Sequence, residues 1–164
     1  MPLILRAKIL VMSDAVAAGR RQDQSGPAVR DLLEGHGWQV APCAILPDDA
    51  EEMRRRLEGW TDAEDCDAVF TTGGTGLGPR DVTPEVTGAL AEREVPGLAE
   101  LMRAEGMRKT RRAALSRGVV AVRKGKLIVN LPGSPEGACE SLASIIDLLP
   151  HAIDVLQGRA GHAA

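Results

Sequence analysis

Short apolar runs alternate with amphipathic stretches along most of the chain. Two of these runs lie at residues 3–12 and 38–45, and a third, at residues 68–70, leads directly into a glycine-rich segment. Apolar runs of this length, bounded by polar residues or glycine, are typical of buried β-strands. The pattern therefore predicts three strands in the first part of the chain.

The segments between these strands carry apolar residues at helical spacing. One helix is predicted to open at Ser25-Gly26-Pro27 and to close at Gly35 or Gly37, because proline suits a first turn and glycine follows a last one. Thr83 is the predicted N-cap and Pro84 the first residue of a later helix that runs to residue 93. Further helices are predicted after Asp48 or Asp49, at residues 98–107, before Pro150 and at residues 152–156.

Other segments show no helical period. Residues 15–24 have no apolar stripe and predict an exposed loop, whereas residues 62–67 are acidic and predict a surface turn. Two β-rich runs at residues 118–122 and 126–131 flank Arg123-Lys124-Gly125, which is a hairpin signal.

The order of these elements is that of an α/β protein. Strands that alternate with helices build a parallel sheet, and the hairpin adds antiparallel pairing. We therefore predict a three-layer α/β/α sandwich with a mixed, mostly parallel sheet. The 164 residues fit a single domain, in which residues 158–164 form a frayed tail.

Composition narrows the classes of function. Aromatic residues make up 2% of the chain and the net charge is −3, which disfavours nucleic-acid binding by base stacking or by a basic surface. Cys43, Cys66 and Cys139 show no C-x-x-C spacing and are predicted to be reduced core residues. Residues 1–10 contain two basic residues and lack a cleavage pattern, so we predict neither a signal peptide nor a membrane span, and a cytoplasmic protein.

The segment after the third strand carries the most distinctive chemistry. Four glycines fall within residues 73–78. Glycines between a buried strand and a helix start can form a cradle of exposed amides for an anion. A carboxylate beside such a cradle is unfavourable unless a cation shares the space, so Asp81 is a candidate Mg²⁺ ligand. Pro79 and Arg80 exclude a P-loop, and the spacing excludes G-x-G-x-x-G; a simple chain reversal is the alternative interpretation.

Polar residues also follow the other predicted strands. Because ligands gather at the carboxyl ends of parallel strands, we expect convergence there of Ser13, Asp14, Asp48, residues 73–81 and residues 132–134. Asp48 has a second interpretation, since either Asp48 or Asp49 can cap the helix that follows. The basic residues within 103–112 fit either a solvated helix end or a rim that attracts a phosphorylated substrate.

Taken together, these motifs resemble a known family. They are Ser13-Asp14, Asp23-x-Ser25-Gly26-Pro27, Leu46-Pro47-Asp48, Thr71-Thr72-Gly73-Gly74-Thr75-Gly76, Arg80-Asp81-Val82-Thr83-Pro84, Arg93-Glu94-x-Pro96-Gly97 and Leu131-Pro132-Gly133-Ser134-Pro135. In this order they are similar to molybdenum cofactor biosynthesis proteins of the molybdopterin adenylyltransferase kind, relatives of the amino-terminal domain of gephyrin. The glycine motif followed by Arg-Asp-Val-Thr-Pro is specific, whereas the other motifs are individually weak.

The resemblance implies a homotrimer that uses Mg²⁺ and ATP to adenylylate molybdopterin, releases pyrophosphate and serves a molybdenum-insertion protein. It implies that Asp48 and Asp81 match two aspartates required for activity, which makes both of them candidate Mg²⁺ ligands. The implied substrate-binding residues are Ser13, Asp14, Thr72, Gly73, Gly74, Thr75, Gly76, Pro132, Gly133 and Ser134. Neither a nucleic acid nor a membrane is an expected partner.

Two alternatives stay open within the same superfamily. One is a non-catalytic molybdopterin-binding or scaffold protein, and the other is a nucleotide pyrophosphatase, as in the competence-damage-inducible proteins that share this domain. The presence of both Asp48 and Asp81 favours the adenylyltransferase. One departure is Gly106, which falls near a serine of some relatives, so any contact of that serine is absent here.

Overall fold

The computed structural model describes residues 2–161, so Met1 and the end of the predicted tail, residues 162–164, lie outside the described part. The strands are β1 (Arg6–Met12), β2 (Gln39–Val40), β3 (Ala44–Leu46), β4 (Ala68–Thr72), β5 (Arg93–Glu94), β6 (Val120–Arg123) and β7 (Lys126–Leu131). The helices are α1 (Asp14–Ala17), α2 (Ser25–Gly35), α3 (Ala50–Asp62), α4 (Thr83–Leu90), α5 (Pro96–Met107), α6 (Pro135–Ile145) and α7 (Leu149–Leu156), with a 3-10 helix at Arg111–Leu115.

One sheet contains all of these strands. Its order is β2-β1-β4-β7-β6-β5, and β3 also pairs with β1. β1 pairs in parallel with β2, β3 and β4, and β4 pairs in parallel with β7. β6 runs antiparallel to β5 and to β7. The sheet is therefore mixed and mostly parallel, as the sequence predicts.

The predicted hairpin is confirmed as the connection between β6 and β7. Lys124 has a φ of 51° and Gly125 a φ of 75°. Positive φ at both central residues of a two-residue turn matches the twist of the two strands that it joins.

Strand residues alternate between two apolar layers. Ile9, Phe70 and Val129 pack in one core with helices α2, α5, α6 and α7. Their neighbours Leu10 and Val69 face the opposite side and pack in a second core with α3 and α4. Because successive side chains of a strand point to opposite faces, strands covered on both sides are apolar throughout. The three-layer α/β/α sandwich is thus confirmed.

The second predicted strand is broken in two. The sequence predicts one strand over residues 38–45, but the structure has β2 and β3, which pair with different ends of β1. Pro42 lies in the gap and has no N–H for the ladder. The apolar run is continuous across this proline, so its pattern alone predicts one strand.

Helix boundaries differ from the prediction at three places. Residues 14–17 form α1 where a loop is predicted, because the Ser13 hydroxyl caps this turn by accepting a backbone N–H at 3.2 Å. α4 ends before Arg93, which pairs with β6 in the sheet. Pro150 lies in the first turn of α7, where proline is tolerated, and does not end a helix.

Asp67 corrects the prediction that residues 62–67 form a surface turn. It is 3% exposed, and its Oδ2 accepts the backbone N–H of Arg6 at 2.8 Å. Its Oδ1 accepts from Gln157 Nε2 at 3.1 Å. Burial by itself raises the pKa of Asp67, but these hydrogen bonds outweigh burial and bring the pKa below its usual value.

The three cysteines are free thiols. Cys66 is buried, as predicted for a core residue, whereas Cys43 and Cys139 are partly exposed. Along residues 2–161, no helix combines the length and the apolar character that crossing a bilayer requires.

Candidate active site

A cavity of about 520 Å³ lies at the carboxyl ends of the parallel strands. This volume is within the range of small-molecule sites, about 300–1,000 Å³. Loops that follow β1, β3, β4 and β7 contribute to its lining, which includes Ser13, Arg21, Asp23, Asp48, Thr72, Gly73, Gly74, Asp81, Gly133 and Ser134. We call it the first cavity. The structure thus brings most of the sequence-predicted site residues together at one edge of the sheet.

The glycine-rich loop, residues 73–82, is closed by Thr83. Its hydroxyl donates to the carbonyl oxygen of Gly73 at 2.9 Å, and its backbone N–H donates to that of Gly74 at 3.1 Å. The predicted N-cap role of Thr83 is therefore wrong, because the N-cap of α4 is Val82 and no side chain caps this helix. The hydroxyl instead joins the end of β4 to the start of α4.

Gly73 lies where the glycine-rich loop approaches β1 most closely. It has a φ of 93°, and a Cβ at this position would lie 2.2 Å from the carbonyl oxygen of Met12. From the other side, a Cβ at Gly133 would lie 3.3 Å from the Cα of Gly73. Any side chain at position 73 would therefore displace backbone.

We expect Gly73→Ala to lower the melting temperature by at least about 5 °C, because left-handed backbone costs roughly 1–2 kcal/mol for alanine and the Met12 clash adds to it. The matched control is Gly37→Ala, where φ is 85° but a Cβ would meet nothing within 4 Å. Thermal unfolding monitored by circular dichroism compares the two. Equal losses would show that the approach to Met12 contributes nothing.

Asp81 points back into its own loop and toward the first cavity. Its Oδ2 accepts the N–H of Gly78 at 2.8 Å, and a Cβ at Gly76 or Gly78 would lie 2.9 or 2.8 Å from the same oxygen. These glycines therefore make room for the carboxylate. The sequence predicts bare amides along the loop, but the N–H of Gly73 donates to Leu131 and that of Gly78 to Asp81.

The capping interpretation of Asp48 is wrong, because Asp49 caps α3. The Asp49 Oδ1 accepts the N–H of Glu52 at 2.9 Å. Asp48 instead exchanges two hydrogen bonds with Asp14: its Oδ2 accepts the Asp14 N–H at 3.2 Å, and its own N–H donates to Asp14 Oδ1 at 3.0 Å. This pair joins the loops after β1 and β3 and leaves Asp48 on the wall of the first cavity.

Asp14 also forms a bidentate ion pair with Arg80 of the glycine-rich loop. Arg80 Nε and Nη2 donate to the two carboxylate oxygens at 2.6 and 3.0 Å. The Arg80 guanidinium, assisted by the Asp48 amide, lowers the pKa of Asp14 to about 2. Asp14 lies with Arg80 in a neighbouring depression, so it supports the predicted site from beside the first cavity.

The ionised form of Asp48 is destabilised by its surroundings in the folded protein. Burial raises the pKa of Asp48 above its usual value, and the nearby carboxylates of Asp14 and Asp81 raise it further. Asp48 and Asp81 line the same cavity, and such an oxygen pair suits Mg²⁺, which proteins hold by one or two carboxylates together with water and phosphate. Among residues 2–161, no three His, Cys, Asp or Glu side chains are grouped to hold a metal by themselves.

A second cavity of about 290 Å³ is lined in part by Thr75 and Gly76 of the glycine-rich loop. Its lining includes Thr75, Gly76, Ala99, Met102, Arg103, Gly106, Arg112, Ser116, Asn130, Pro132 and Ser134. Three predicted site residues, Thr75, Gly76 and Pro132, therefore belong to this cavity. Ser134 lines both cavities and caps α6 by accepting the N–H of Gly137 at 3.0 Å.

Gly106 lies inside α5, where it lines the second cavity. A Cβ at this position would lie 2.8 Å from the Cβ of Ala113. A serine here would therefore require Ala113 to move, and the glycine lets α5 pack closely against the 3-10 helix.

The basic residues within 103–112 support both interpretations of this segment. Lys109 forms an exposed ion pair with Glu140 at 2.9 Å, which is typical of a solvated helix end. Arg103 and Arg112 line the second cavity, so part of this positive charge reaches the candidate site.

Sequence reasoning missed two arginines. Arg21 lines the first cavity, and its Nη2 donates to Ser13 Oγ at 3.2 Å. Arg117 donates through Nε to the carbonyl oxygen of Gly76 at 2.7 Å. Arg21 lies in a segment without periodicity and Arg117 lies 41 positions from its partner, so no local pattern signals either contact.

The protein is an α/β sandwich whose acidic and glycine-rich loops meet at the carboxyl ends of the parallel strands. In folds of this class, small molecules bind at that edge of the sheet. Residues 8–151 match the family described as a probable molybdopterin binding domain. The chain therefore belongs to the molybdopterin-binding domain family of molybdenum cofactor biosynthesis proteins.

Individual relatives agree with this assignment. The molybdopterin adenylyltransferase of Haemophilus influenzae is 38% identical over 151 residues, which cover 90% of this chain and 76% of that protein. The molybdenum cofactor synthesis protein cinnamon of Drosophila melanogaster is 39% identical over 149 residues, 90% of this chain, which spans 25% of its length. The crystal structure of the molybdopterin biosynthesis enzyme MoaB from Thermus thermophilus superimposes with a TM-score of 0.89 at 50% identity, covering 94% of this chain and 98% of that one.

Proposed function

We propose that this protein is a molybdopterin adenylyltransferase, which transfers the adenylyl group of Mg-ATP to the phosphate of molybdopterin and releases pyrophosphate. The observation that carries the proposal is the placement of Asp48 and Asp81 on one cavity, beside a glycine-rich loop. The name of the Haemophilus influenzae relative supports the same reaction.

The two cavities suit the two substrates. The first cavity, with its carboxylates and Arg21, would take the triphosphate, and the second cavity would take the pterin. Ser134 lines both and caps α6, an 11-residue helix whose amino-terminal end attracts phosphate. We therefore infer that the phosphates of both substrates meet near Ser134 and the glycine-rich loop.

Asp48 and Asp81 are the residues that would hold Mg²⁺. When bound, the ion neutralises charge on the phosphates and on the pyrophosphate that leaves. The raised pKa of Asp48 supports this role, because the repulsion from Asp14 and Asp81 that contributes to it is relieved when a cation occupies the space.

The reaction needs positioning more than side-chain chemistry. An oxygen of the molybdopterin phosphate attacks the α-phosphorus of ATP, the bond from that phosphorus to the bridging oxygen of the β-phosphate breaks, and pyrophosphate leaves. No side-chain nucleophile takes part. The chain contributes by placing both phosphates in line and by directing positive charge, such as that of Arg21, at them.

The test is a pyrophosphate-release assay with purified protein, molybdopterin, ATP and Mg²⁺. We expect one pyrophosphate and one adenylylated pterin for each molybdopterin consumed, and no release when either substrate is omitted. Binding of molybdopterin without release would identify a non-catalytic member of the superfamily. Pyrophosphate and AMP formed from ATP alone would identify a nucleotide pyrophosphatase.

Three further properties of this protein are also proposals. Two of them, a homotrimer and transfer of the product to a molybdenum-insertion protein, are what the resemblance implies. The third, a cytoplasmic location, rests on the sequence composition, as do a single domain and the expectation that the protein binds neither nucleic acid nor a membrane. Light scattering on the eluted protein would test the trimer, because a monomer or dimer mass would contradict it.

A further inference from the structure

Arg117 joins the segment before β6 to the glycine-rich loop. Its backbone N–H donates to the carbonyl oxygen of Thr75 at 2.9 Å. Its guanidinium donates through Nε to that of Gly76 at 2.7 Å and through Nη2 to that of Asp81 at 2.9 Å. One residue therefore holds three carbonyl groups that span most of the loop.

The orientation of this guanidinium is itself constrained by Glu85. Arg117 Nη1 donates to both carboxylate oxygens of Glu85, at 2.7 and 2.9 Å. Glu85 lies in the first turn of α4, the helix into which the loop leads. Ion pairs with this degree of exposure contribute little stability, so the effect of this one is to aim the remaining donors at the loop.

The remaining hydrogen bonds of Asp81 lie within the glycine-rich loop itself. Asp81 and Gly78 exchange two hydrogen bonds within a single turn, at 2.8 and 3.0 Å. These bonds shape the turn but do not attach it to the rest of the molecule. Thr83 closes the loop only at its ends. Between these ends the loop is attached by the exposed ion pair of Arg80 with Asp14 and by Arg117, which binds the loop backbone itself.

We propose that Arg117 is a positioning residue, which holds residues 75–81 so that the Asp81 carboxylate stays on the wall of the first cavity together with Asp48. The expected effect of Arg117 on the reaction rate rests on the proposed adenylyl transfer. An arginine is needed because its planar fork directs separate N–H groups to two carbonyls and a carboxylate, whereas the lysine ammonium is a single point charge. A displacement of about 1 Å at such a site costs on the order of 100-fold in rate.

The test compares Arg117→Lys with a matched control, Arg123→Lys. Arg123 Nη1 also binds a hydroxyl and a carboxylate, Thr61 Oγ1 at 2.6 Å and Asp62 Oδ1 at 2.7 Å, but has no contact with the loop. We expect Arg117→Lys to lower kcat by about 10- to 100-fold with a smaller change in the KM for ATP. Amide hydrogen exchange in residues 74–82 should rise in this variant and stay unchanged in Arg123→Lys.

Unchanged exchange in residues 74–82 would overturn the proposal, and so would a kcat that falls only in proportion to the folded fraction. If the wild-type protein releases no pyrophosphate, the proposed function fails, and the exchange measurement alone then decides whether Arg117 holds the loop. Should Arg117→Lys fail to fold, Glu85→Gln replaces it. This variant keeps the arginine but weakens the ion pair that orients its guanidinium. Faster amide exchange in the loop then supports the proposal, and unchanged exchange contradicts it.

Discussion

Asp81→Asn is expected to lower the rate of pyrophosphate release by at least about 100-fold and to leave the fold intact. The asparagine carbonyl can still accept the N–H of Gly78, which the wild-type carboxylate accepts at 2.8 Å. The turn is therefore kept while the charge that would hold Mg²⁺ is lost. The pyrophosphate-release assay, repeated over a range of Mg²⁺ concentrations, measures the effect.

The control for this variant is Asp49→Asn, which removes a carboxylate that caps α3 next to Asp48. Asparagine caps a helix as well as aspartate does, so the control should keep both activity and stability. A wild-type rate in Asp81→Asn would remove the metal-binding role. An equal loss in Asp49→Asn would indicate a general effect of net charge.

The second large effect is expected for Asp48→Asn, which should lose adenylyl transfer to a similar extent, at least about 100-fold, while molybdopterin still binds. Asp48 lines the first cavity but does not line the second, where we place the pterin. Isothermal titration calorimetry measures pterin binding, and the release assay measures transfer. Loss of binding together with transfer would contradict this separation of the two cavities.

Asp48→Asn should not lower the melting temperature. Burial and repulsion raise the folded-state pKa of Asp48 above 3.8, so the folded protein binds this proton more tightly than the unfolded chain does. Above the raised pKa the ionised carboxylate therefore costs folding free energy, which asparagine avoids. We expect an equal or slightly higher melting temperature at pH 7, by up to about 4 °C, and a difference that shrinks as the pH falls through this pKa.

A clear fall in the melting temperature of Asp48→Asn without loss of transfer would give the residue a structural role alone. Differential scanning calorimetry at pH 7 and at a pH near 4 measures the melting temperatures, and the pyrophosphate-release assay measures transfer.

Local patterns were sufficient for several elements whose structure neighbours in sequence decide, although the Ser13 cap of α1 was missed. The apolar run before Gly73 becomes β4, and the turn at Lys124 and Gly125 forms the predicted hairpin. The same applies to α2, α3 and α5 and to the start of α6, since periodicity, a first-turn proline or a capping side chain acts within a few residues. Pro42 separates β2 from β3. It is also a local feature, but the apolar run that continues across it predicts one strand.

Long-range contacts account for two of the errors, at Thr83 and at Asp67. Thr83 has the chemistry of an N-cap, but its hydroxyl finds the carbonyl of Gly73 ten positions earlier. Asp67 lies in an acidic stretch, but it is buried, and its carboxylate accepts hydrogen bonds from a backbone N–H of β1 and from the side chain of Gln157. In both cases a partner distant in the chain outcompetes the local interaction that the sequence suggests.

The sequence by itself therefore determined the fold class, the sheet edge at which the loops meet, and Asp81 as a carboxylate to test, to which the resemblance of its motifs to a known family added Asp48. Only the tertiary structure decided that Asp14 pairs with Arg80, that Arg117 holds the glycine-rich loop, and that the predicted site residues divide between two cavities. The physical reason is that strand and helix periods depend on near neighbours, whereas a hydrogen bond across loops forms only after packing has brought its two partners together.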